Sequence, residues 1–488
     1  MNRRVLLINP PSPEGMGSPL LGQQYVAASL LQNECEVRVI DAAGRHFHHD
    51  TSWIVEQCLD FQPAVIGFGL FSRWVFHAYQ LAEVLSQAGP WTMVAGGAHT
   101  TVRPRETLDH GFDIAVTGEA EESFPELVHA LATGVDPEAI SGVVTPAGNG
   151  CNPARRIQDL DALASPATAH ALYDPAWYNK RGLVKAPGGL ITSRGCPARC
   201  TFCANYVTGR KFRHRSAANV VAEIQEWHAL SNMSFFPFWD DALTANPHAL
   251  SKLCDEFEGA FDFPFAFGAI TRANMVTPKL LKRMREVGLR HVNFGVESGD
   301  DVILKIIKKG IKTDHVVRAL EWAKAEGLST ACNFMLGFPE DTPATLERTL
   351  AFMKRIAPLT DTFSTLGVAV PFPGTPLYED HHEHYGFTEW WLREDHSHYE
   401  PFPDPNDTER FCRHYIDDKN LELNFFNYES DTQAMMRKCL KFKGEHNLKK
   451  MGLLKDPVFS PEPTASLDAP PSREAHSQPT ALAGERSS

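Results

Sequence analysis

The sequence has no basic excess: 47 Lys and Arg stand against 60 Asp and Glu, a formal net charge of −13. That argues against a nucleic-acid partner or an anionic membrane surface, since both recruit proteins through clustered positive charge. The amino terminus lacks a long apolar run, because Val5-Leu-Leu-Ile8 is followed at once by Asn9 and Pro10. Four apolar residues are too few for a signal-peptide core or a membrane span, so a soluble, cytoplasmic chain is expected. A disulfide framework is also missing. Seven of the ten cysteines stand alone (Cys35, Cys58, Cys151, Cys254, Cys332, Cys412 and Cys439), and only Cys196, Cys200 and Cys203 cluster. In a cytosolic chain such a cluster means metal or redox chemistry. No internal repeat is evident beyond an alternation of strands and helices.

What is present is a core-forming chain of 488 residues, 43% hydrophobic and 10% aromatic, enough for two or three ordinary domains and incompatible with a disordered or fibrous protein. Up to residue 145, short apolar runs near Val5–Ile8, Val37–Ile40, Ala64–Gly69, Thr92–Ala95 and Asp113–Val116 alternate with helical stretches. This pattern predicts a doubly wound parallel sheet, whose ligands bind beyond the carboxyl ends of its strands. Gly67, Gly69, Gly96, Gly97 and Gly118 fall at those ends. Residues 146–185 have no sustained period and read as a linker. A second series over 186–380 has strands near Gly189–Ser193, Phe235–Trp239, Phe265–Ile270, His291–Gly295, Ala331–Leu336 and Phe363–Val370. Six β/α units in about 185 residues predict an incomplete parallel barrel, since eight need nearer 250. Asn246-Pro247, Thr277-Pro278 and Thr342-Pro343 each place a capping residue before proline at a helix start. The fold class is therefore α/β, with a small carboxyl-terminal unit at 381–457 and a disordered Pro/Ser-rich tail at 458–488.

The stretch richest in chemistry is Cys196-Pro-Ala-Arg-Cys200-Thr-Phe-Cys203, a C-x₃-C-x₂-C triplet just after the first barrel strand. Three thiolates in one loop can hold three irons of a cubane cluster and leave the fourth iron open to substrate or cofactor. Zinc is the alternative; a structural site would need a fourth protein ligand, a catalytic one would not.

This triplet, with Phe202 before its last cysteine, resembles the radical S-adenosylmethionine (SAM) superfamily. The resemblance implies a [4Fe-4S] cluster on Cys196, Cys200 and Cys203 whose open iron binds SAM, and reductive cleavage to a 5′-deoxyadenosyl radical. Later segments are similar to the cobalamin-dependent branch: Phe238-Trp-Asp-Asp241, Arg272, Asn293-Phe-Gly-Val-Glu-Ser298 and Gly337-Phe-Pro-Glu-Asp-Thr342 to its SAM-contacting motifs, and Pro371-Phe-Pro-Gly-Thr-Pro-Leu-Tyr378 to its segment after the sixth strand. They imply SAM contacts from Phe202, Asp240, Asp241, Arg272, Glu297, Ser298, Gly337 and Pro339. Residues 1–145 resemble the branch's cobalamin-binding Rossmann-like domain, through Ile8-Asn-Pro-Pro11, Ile66-Gly-Phe-Gly69, Ala95-Gly-Gly-Ala-His-Thr100 and Val116-Thr-Gly-Glu-Ala120. Cobalamin contacts are then implied for Asn9, Pro10, Gly67, Gly69, Gly96, Gly97, His99, Gly118 and Glu119. The D-x-H-x-x-G motif that ligates cobalt elsewhere is absent, so the cobalt is expected to have no histidine on its lower face and His99 to be a loop contact.

The function so implied is cobalamin-dependent methyl transfer to an unactivated carbon, or phosphorus, of a small molecule, by a monomer that draws single electrons from a flavodoxin or ferredoxin. Alternatives are a non-methylating radical reaction, including transfer of the 3-amino-3-carboxypropyl arm of SAM to a soft nucleophile, and a non-catalytic carrier or sensor. Cys412 and Cys439 are the candidate soft ligands of a substrate. His46-Phe-His-His49 and His381-His-Glu-His384 read as solvated loops rather than metal sites.

Overall fold

The computed structural model describes residues 2–12, 17–44, 47, 49–148, 153–178, 189–394, 421 and 423–453. The tail expected at 458–488 lies outside them. Five parallel strands open the fold: β1 Arg4–Asn9, β2 Glu36–Asp41, β3 Val65–Gly69, β4 Thr92–Gly96 and β5 Ile114–Val116. The short β6 Val143–Val144 adds antiparallel to β5, giving the order β2-β1-β3-β4-β5-β6. The runs Val5–Ile8 and Val65–Phe68 are buried because helices cover both faces of a parallel sheet. Chain order reverses between β1 and β3, the switch point where the carboxyl ends of such strands leave a crevice.

The next strands are β7 Ser193–Arg194, β8 Arg213–His214, β9 Phe235–Phe238, β10 Ala266–Thr271, β11 Leu289–Glu297, β12 Ser329–Leu336 and β13 Thr362–Val368. β9 to β13 form a parallel sheet in sequential order, the curled partial barrel the sequence predicts. Its first strand departs from the expectation. Leu190 makes only an isolated parallel bridge to Phe238, and β7 turns away to pair antiparallel with β8. Asp240 explains the departure, since its carboxylate accepts from Thr192 N, from Thr192 Oγ1 at 2.8 Å and from Ser193 Oγ, taking the place of a ladder partner. The three expected caps form: Asn246 accepts from His248 and Ala249 N–H, Thr277 from Leu280 N–H and Thr342 from Thr345 N–H.

An open barrel leaves β13 as a free edge, which the helix Ser430–Lys450 covers. Asn447 Oδ1 accepts from Phe363 N–H at 2.8 Å and its Nδ2 donates to Phe363 O at 2.9 Å, so one buried side-chain amide stands in for the missing strand. Asn447→Leu would leave two buried backbone groups unpaired and is expected to cost about 2 kcal/mol or more. Denaturant unfolding that leaves the variant unchanged would refute this edge-capping role. Among the described residues no helix is long and apolar enough to cross a membrane.

Candidate active site between two domains

The cysteine loop is held from three sides. Cys196 N–H donates to Gly209 O at 3.1 Å, Thr201 N–H to Ile307 O at 3.0 Å, and Leu377 N–H to Thr201 O at 2.9 Å. Asn205 Nδ2 reaches Cys196 O at 3.0 Å. Burial, and then the charges of Asp241 and Cys200, raise the Cys196 thiol, with Arg272 opposing them. Arg272, at the end of β10, donates from Nη1 to Cys200 Sγ at 3.4 Å, and its Nε is buried with no hydrogen-bond partner. Phe202 packs on Phe338, with Lys309 Nζ 5.7 Å from its ring centre. Among the described residues no three His, Cys, Asp or Glu side chains converge on a single-ion position, a geometry that a cubane with one cysteine per iron does not require.

The other expected SAM contacts divide. Asp241, at the surface, accepts from Gly195 N–H at 2.9 Å and Thr208 Oγ1 at 2.8 Å and lines the central cavity. Asp240 does not reach that cavity. It is buried in the tie to Thr192 and Ser193, and burial pushes its carboxyl up to about 6. Glu297 sits in the left-handed region (φ 73°) and accepts from Lys309 Nζ at 2.6 Å, both residues being buried. Ser298 is a tie rather than an open contact, sharing a hydrogen bond with Thr349 and accepting from Asp300 N–H, the cap of the next helix. Gly337 (φ 78°) has no room for a side chain: a Cβ there would lie 2.5 Å from Tyr428 Oη and 2.7 Å from Met436 Cε. Tyr428 donates to Gly337 O, so the carboxyl-terminal unit covers this end of β12, while Pro339 is half-buried in the turn that follows.

A cavity of about 440 Å³ opens between the strand tips of the amino-terminal sheet and the start of the barrel. One wall is Asn9, Gly67, Gly69, Gly96, Gly97, Gly118 and Glu119; the other includes Ile191, Ser193, Arg194, Trp239 and Asp241. Gly97 (φ 96°) closes tightly on Leu70, whereas a Cβ on Gly69 would meet nothing within 4 Å. Asn9 Nδ2 donates to Asp41 Oδ1 at 2.7 Å, leaving Asn9 Oδ1 buried with no partner.

Two residues expected on this wall lie off it, and a third lines it with its carboxylate already engaged. Pro10 is buried off the cavity lining. His99 is fully buried behind it, its ring nitrogens taken by Ser72 Oγ at 2.9 Å and Glu106 Oε1 at 3.0 Å. Glu106 also accepts from Tyr79 and Trp391 at 3.0 Å, so His99 belongs to a polar knot that ties this domain to the carboxyl-terminal unit. Glu119 lines the cavity, but its carboxylate is saturated by Arg213 at 2.7 and 2.8 Å, Arg194 at 3.2 Å and Ile157 N–H at 2.8 Å. Burial pushes this carboxyl up, but its hydrogen bonds and the two arginines outweigh burial and hold it below the usual range.

With Glu121, which meets Arg194 at 2.5 Å, these groups form a buried ionic clamp between the domains. Arg213→Met would strand part of Glu119's charge and is expected to cost about 3–5 kcal/mol. A thermal unfolding profile unchanged by the substitution would contradict that.

Of the two soft-ligand candidates only Cys439 is described, and it does not lie at the barrel mouth. Cys439 is fully buried on the inner face of the last helix, its thiol 3.6 Å from Leu346 O and pushed up to about 12, first by burial. Cys412 lies outside the described residues, as do His46 and His48. His49 stacks on Trp53 and His382 on Tyr378. Residues not named as contacts from the sequence include Arg194, Trp239, Glu121 and Lys309; Trp239 sits inside the Phe238-Trp-Asp-Asp241 motif, and Lys309 in a Lys308-Lys309-Gly310 turn after a helix.

Residues 190–353 match the family model of the Radical SAM superfamily and residues 17–128 that of the B12 binding domain. An uncharacterized methyltransferase of Pyrococcus horikoshii is 29% identical over 391 residues, 77% of this chain and 82% of the relative. An anaerobic magnesium-protoporphyrin IX monomethyl ester cyclase of Rubrivivax gelatinosus is 26% identical over 399 residues, covering 77% and 70%. The fold is also that of TsrM from Kitasatospora setae, a radical SAM methyltransferase solved with cobalamin and a [4Fe-4S] cluster bound: TM-score 0.64, 19% identity, 79% of each chain covered. The two matched stretches meet at the cavity, so the chain carries a Radical SAM domain behind an amino-terminal B12 binding domain.

Proposed function

We propose that the protein is a cobalamin-dependent radical SAM methyltransferase acting on an unactivated carbon, or phosphorus, of a small molecule. The observation that carries this reading is the shared cavity, whose B12-domain wall of glycines faces barrel residues bordering the cysteine loop. The residues fit the groups involved. Three cysteines in one loop suit a cluster with one open iron, and the unpaired Arg272 Nε beside Cys200 suits the carboxylate of SAM. The open face of Gly69 and the unpaired Asn9 Oδ1 suit a corrin edge bearing amide donors. When bound, the cluster supplies low-potential electrons that cleave SAM, and cobalamin supplies a transferable methyl group.

The chain's own contributions are positional. Asp241 fixes the cysteine loop through Gly195 and Thr208, while the Lys309–Glu297 pair holds the end of β11 beside Phe202. Trp390 and Trp391 of the carboxyl-terminal unit are buried, donating to Pro371 O and Glu106, and fasten that unit to the barrel and to the amino-terminal domain. In this proposal residues 1–145 hold the corrin, 186–380 the cluster and SAM, and 381–457 select the substrate. The protein works as a cytoplasmic monomer with an external one-electron reductant.

The test is product analysis of the anaerobically reconstituted protein with SAM and a strong reductant. 5′-Deoxyadenosine together with S-adenosylhomocysteine, the latter only when cobalamin is present, is expected. The cyclase relative supports a second reading, a non-methylating radical reaction, which would give 5′-deoxyadenosine alone. Burial of Cys439 removes one support for aminocarboxypropyl transfer, whose mark would be methylthioadenosine.

A further inference from the structure

The segment that joins the two domains braces the B12-domain wall of the cavity from behind. Asp41, at the end of β2, is the register partner of Asn9 at the end of β1. Asn9 Nδ2 donates to Asp41 Oδ1 at 2.7 Å, and Tyr178 Oη of the joining segment donates to Asp41 Oδ2 at 2.6 Å. All three side chains are buried, and Ala43 N–H donates to the same carboxylate. The turn after β2 packs closely on this segment: a Cβ on Gly44 would lie 2.7 Å from Trp177 O. Burial, and then the charge of Asp41, push the Tyr178 hydroxyl far above its usual range, so it remains a donor. Burial pushes the Asp41 carboxyl up to about 6, which leaves it ionised at pH 7.5. An ionised carboxylate only accepts, so the Asn9 amide must turn its NH2 to Asp41 and keep Oδ1, which has no partner, for the cavity that Asn9 lines.

We propose that Asp41 and Tyr178 are positioning residues that fix Asn9 as a hydrogen-bond acceptor, so that the site selects corrins with an uncharged primary amide at this point over corrins with a carboxylate there. The inference rests on the cobalamin reading and adds to it the form of corrin accepted. A peripheral amide N–H donates to Asn9 Oδ1, whereas a carboxylate would meet an oxygen with the buried charge of Asp41 behind it. The cavity supplies no free cation to offset this. Among the described residues lining it the one cation is Arg194, which is engaged by Glu119 at 3.2 Å and Glu121 at 2.5 Å, and Asp241 adds a third acid. A partly hydrolysed corrin is therefore refused twice, by the acceptor at Asn9 and by the negative charge of the walls.

The test is equilibrium dialysis of the full chain at pH 7.5 against cobalamin and against its monocarboxylic acids, each with one peripheral amide hydrolysed. At least one acid is expected to bind wild type about tenfold or more weaker than cobalamin, the loss that follows when a buried acceptor is left unpaired. Asp41→Asn is the diagnostic variant. Its oxygen accepts from Tyr178 and its NH2 faces Asn9, whose amide must then turn over and present NH2 to the cavity. The deficit of that acid is expected to vanish or reverse, whereas a merely structural role for Asp41 would weaken both ligands alike and leave their ratio unchanged. Asn9→Ala, which removes the acceptor and has nothing to turn over, is expected to bring the ratio toward one, and it decides the matter should Asp41→Asn not fold. Equal binding of cobalamin and every acid by wild type, or a ratio unmoved in either folded variant, would overturn the proposal and leave the cobalamin reading standing. Wild type that binds neither cobalamin nor any acid would overturn both.

Discussion

Cys200→Ala protein, reconstituted anaerobically with iron and sulfide, is expected to show no iron–sulfur absorption and no SAM cleavage above background. Each cysteine of the triplet serves a different iron, so losing one leaves a second iron without a protein ligand and a cluster the loop cannot retain. The fold should survive. Cys200 is only half-buried, and the one side-chain hydrogen bond it is seen to make is from Arg272. The loop's own anchors, Cys196 N–H on Gly209, Thr201 N–H on Ile307 and Leu377 N–H on Thr201, use backbone that the substitution leaves in place. A wild-type circular dichroism spectrum and melting profile with no cluster would therefore separate lost chemistry from lost structure. Absorption and cleavage that both persist would remove the iron–sulfur assignment.

Gly69→Phe should abolish the other half of the chemistry. A Cβ at Gly69 meets no atom within 4 Å, so the backbone accepts a side chain, and the ring projects into the space the corrin would fill. Cobalamin affinity is expected to drop by about a hundredfold or more, the equivalent of roughly 3 kcal/mol. Iron content and reductive formation of 5′-deoxyadenosine remain, while S-adenosylhomocysteine disappears. Gly67 makes the instructive contrast. A Cβ there would sit 2.9 Å from the Phe124 ring, so Gly67→Ala strains the core beneath the same cavity wall and should lower stability instead. Equal cobalamin binding by Gly69→Phe and wild type would place the corrin elsewhere.

Much of this architecture is readable from the residues. Parallel strands buried on both faces leave unbroken apolar runs such as Val5–Ile8, and capping residues before Pro247, Pro278 and Pro343 mark three barrel helices. The cysteine triplet is local and keeps its meaning in any context. What could not be read depends on register or on distant partners. Asp240 and Asp241 are adjacent in sequence, but successive residues of an extended chain face opposite ways, so one is buried against Thr192 and the other reaches the cavity. Glu119 finds Arg213 94 residues away and Glu121 finds Arg194 73 away, and ion pairs so separated leave no period in the sequence. His99 looked like a loop residue beside two glycines, and only tertiary packing against Ser72, Glu106 and Trp391 shows it closed off. Cys439 illustrates the same limit for a helix, because which face turns inward depends on the neighbour it packs against, here the helix carrying Leu346.

The central claim is that one chain holds an iron–sulfur cluster on the cysteine loop that borders the cavity and a cobalamin on the cavity's B12-domain wall. The most direct measurement is the iron, zinc and cobalt content of the anaerobically reconstituted protein, wild type beside Gly69→Phe and Cys200→Ala. About four irons and one cobalt per chain are predicted for wild type, with cobalt lost selectively in the first variant and iron in the second. Stoichiometric zinc in place of iron, or cobalt retained in Gly69→Phe, would contradict the account.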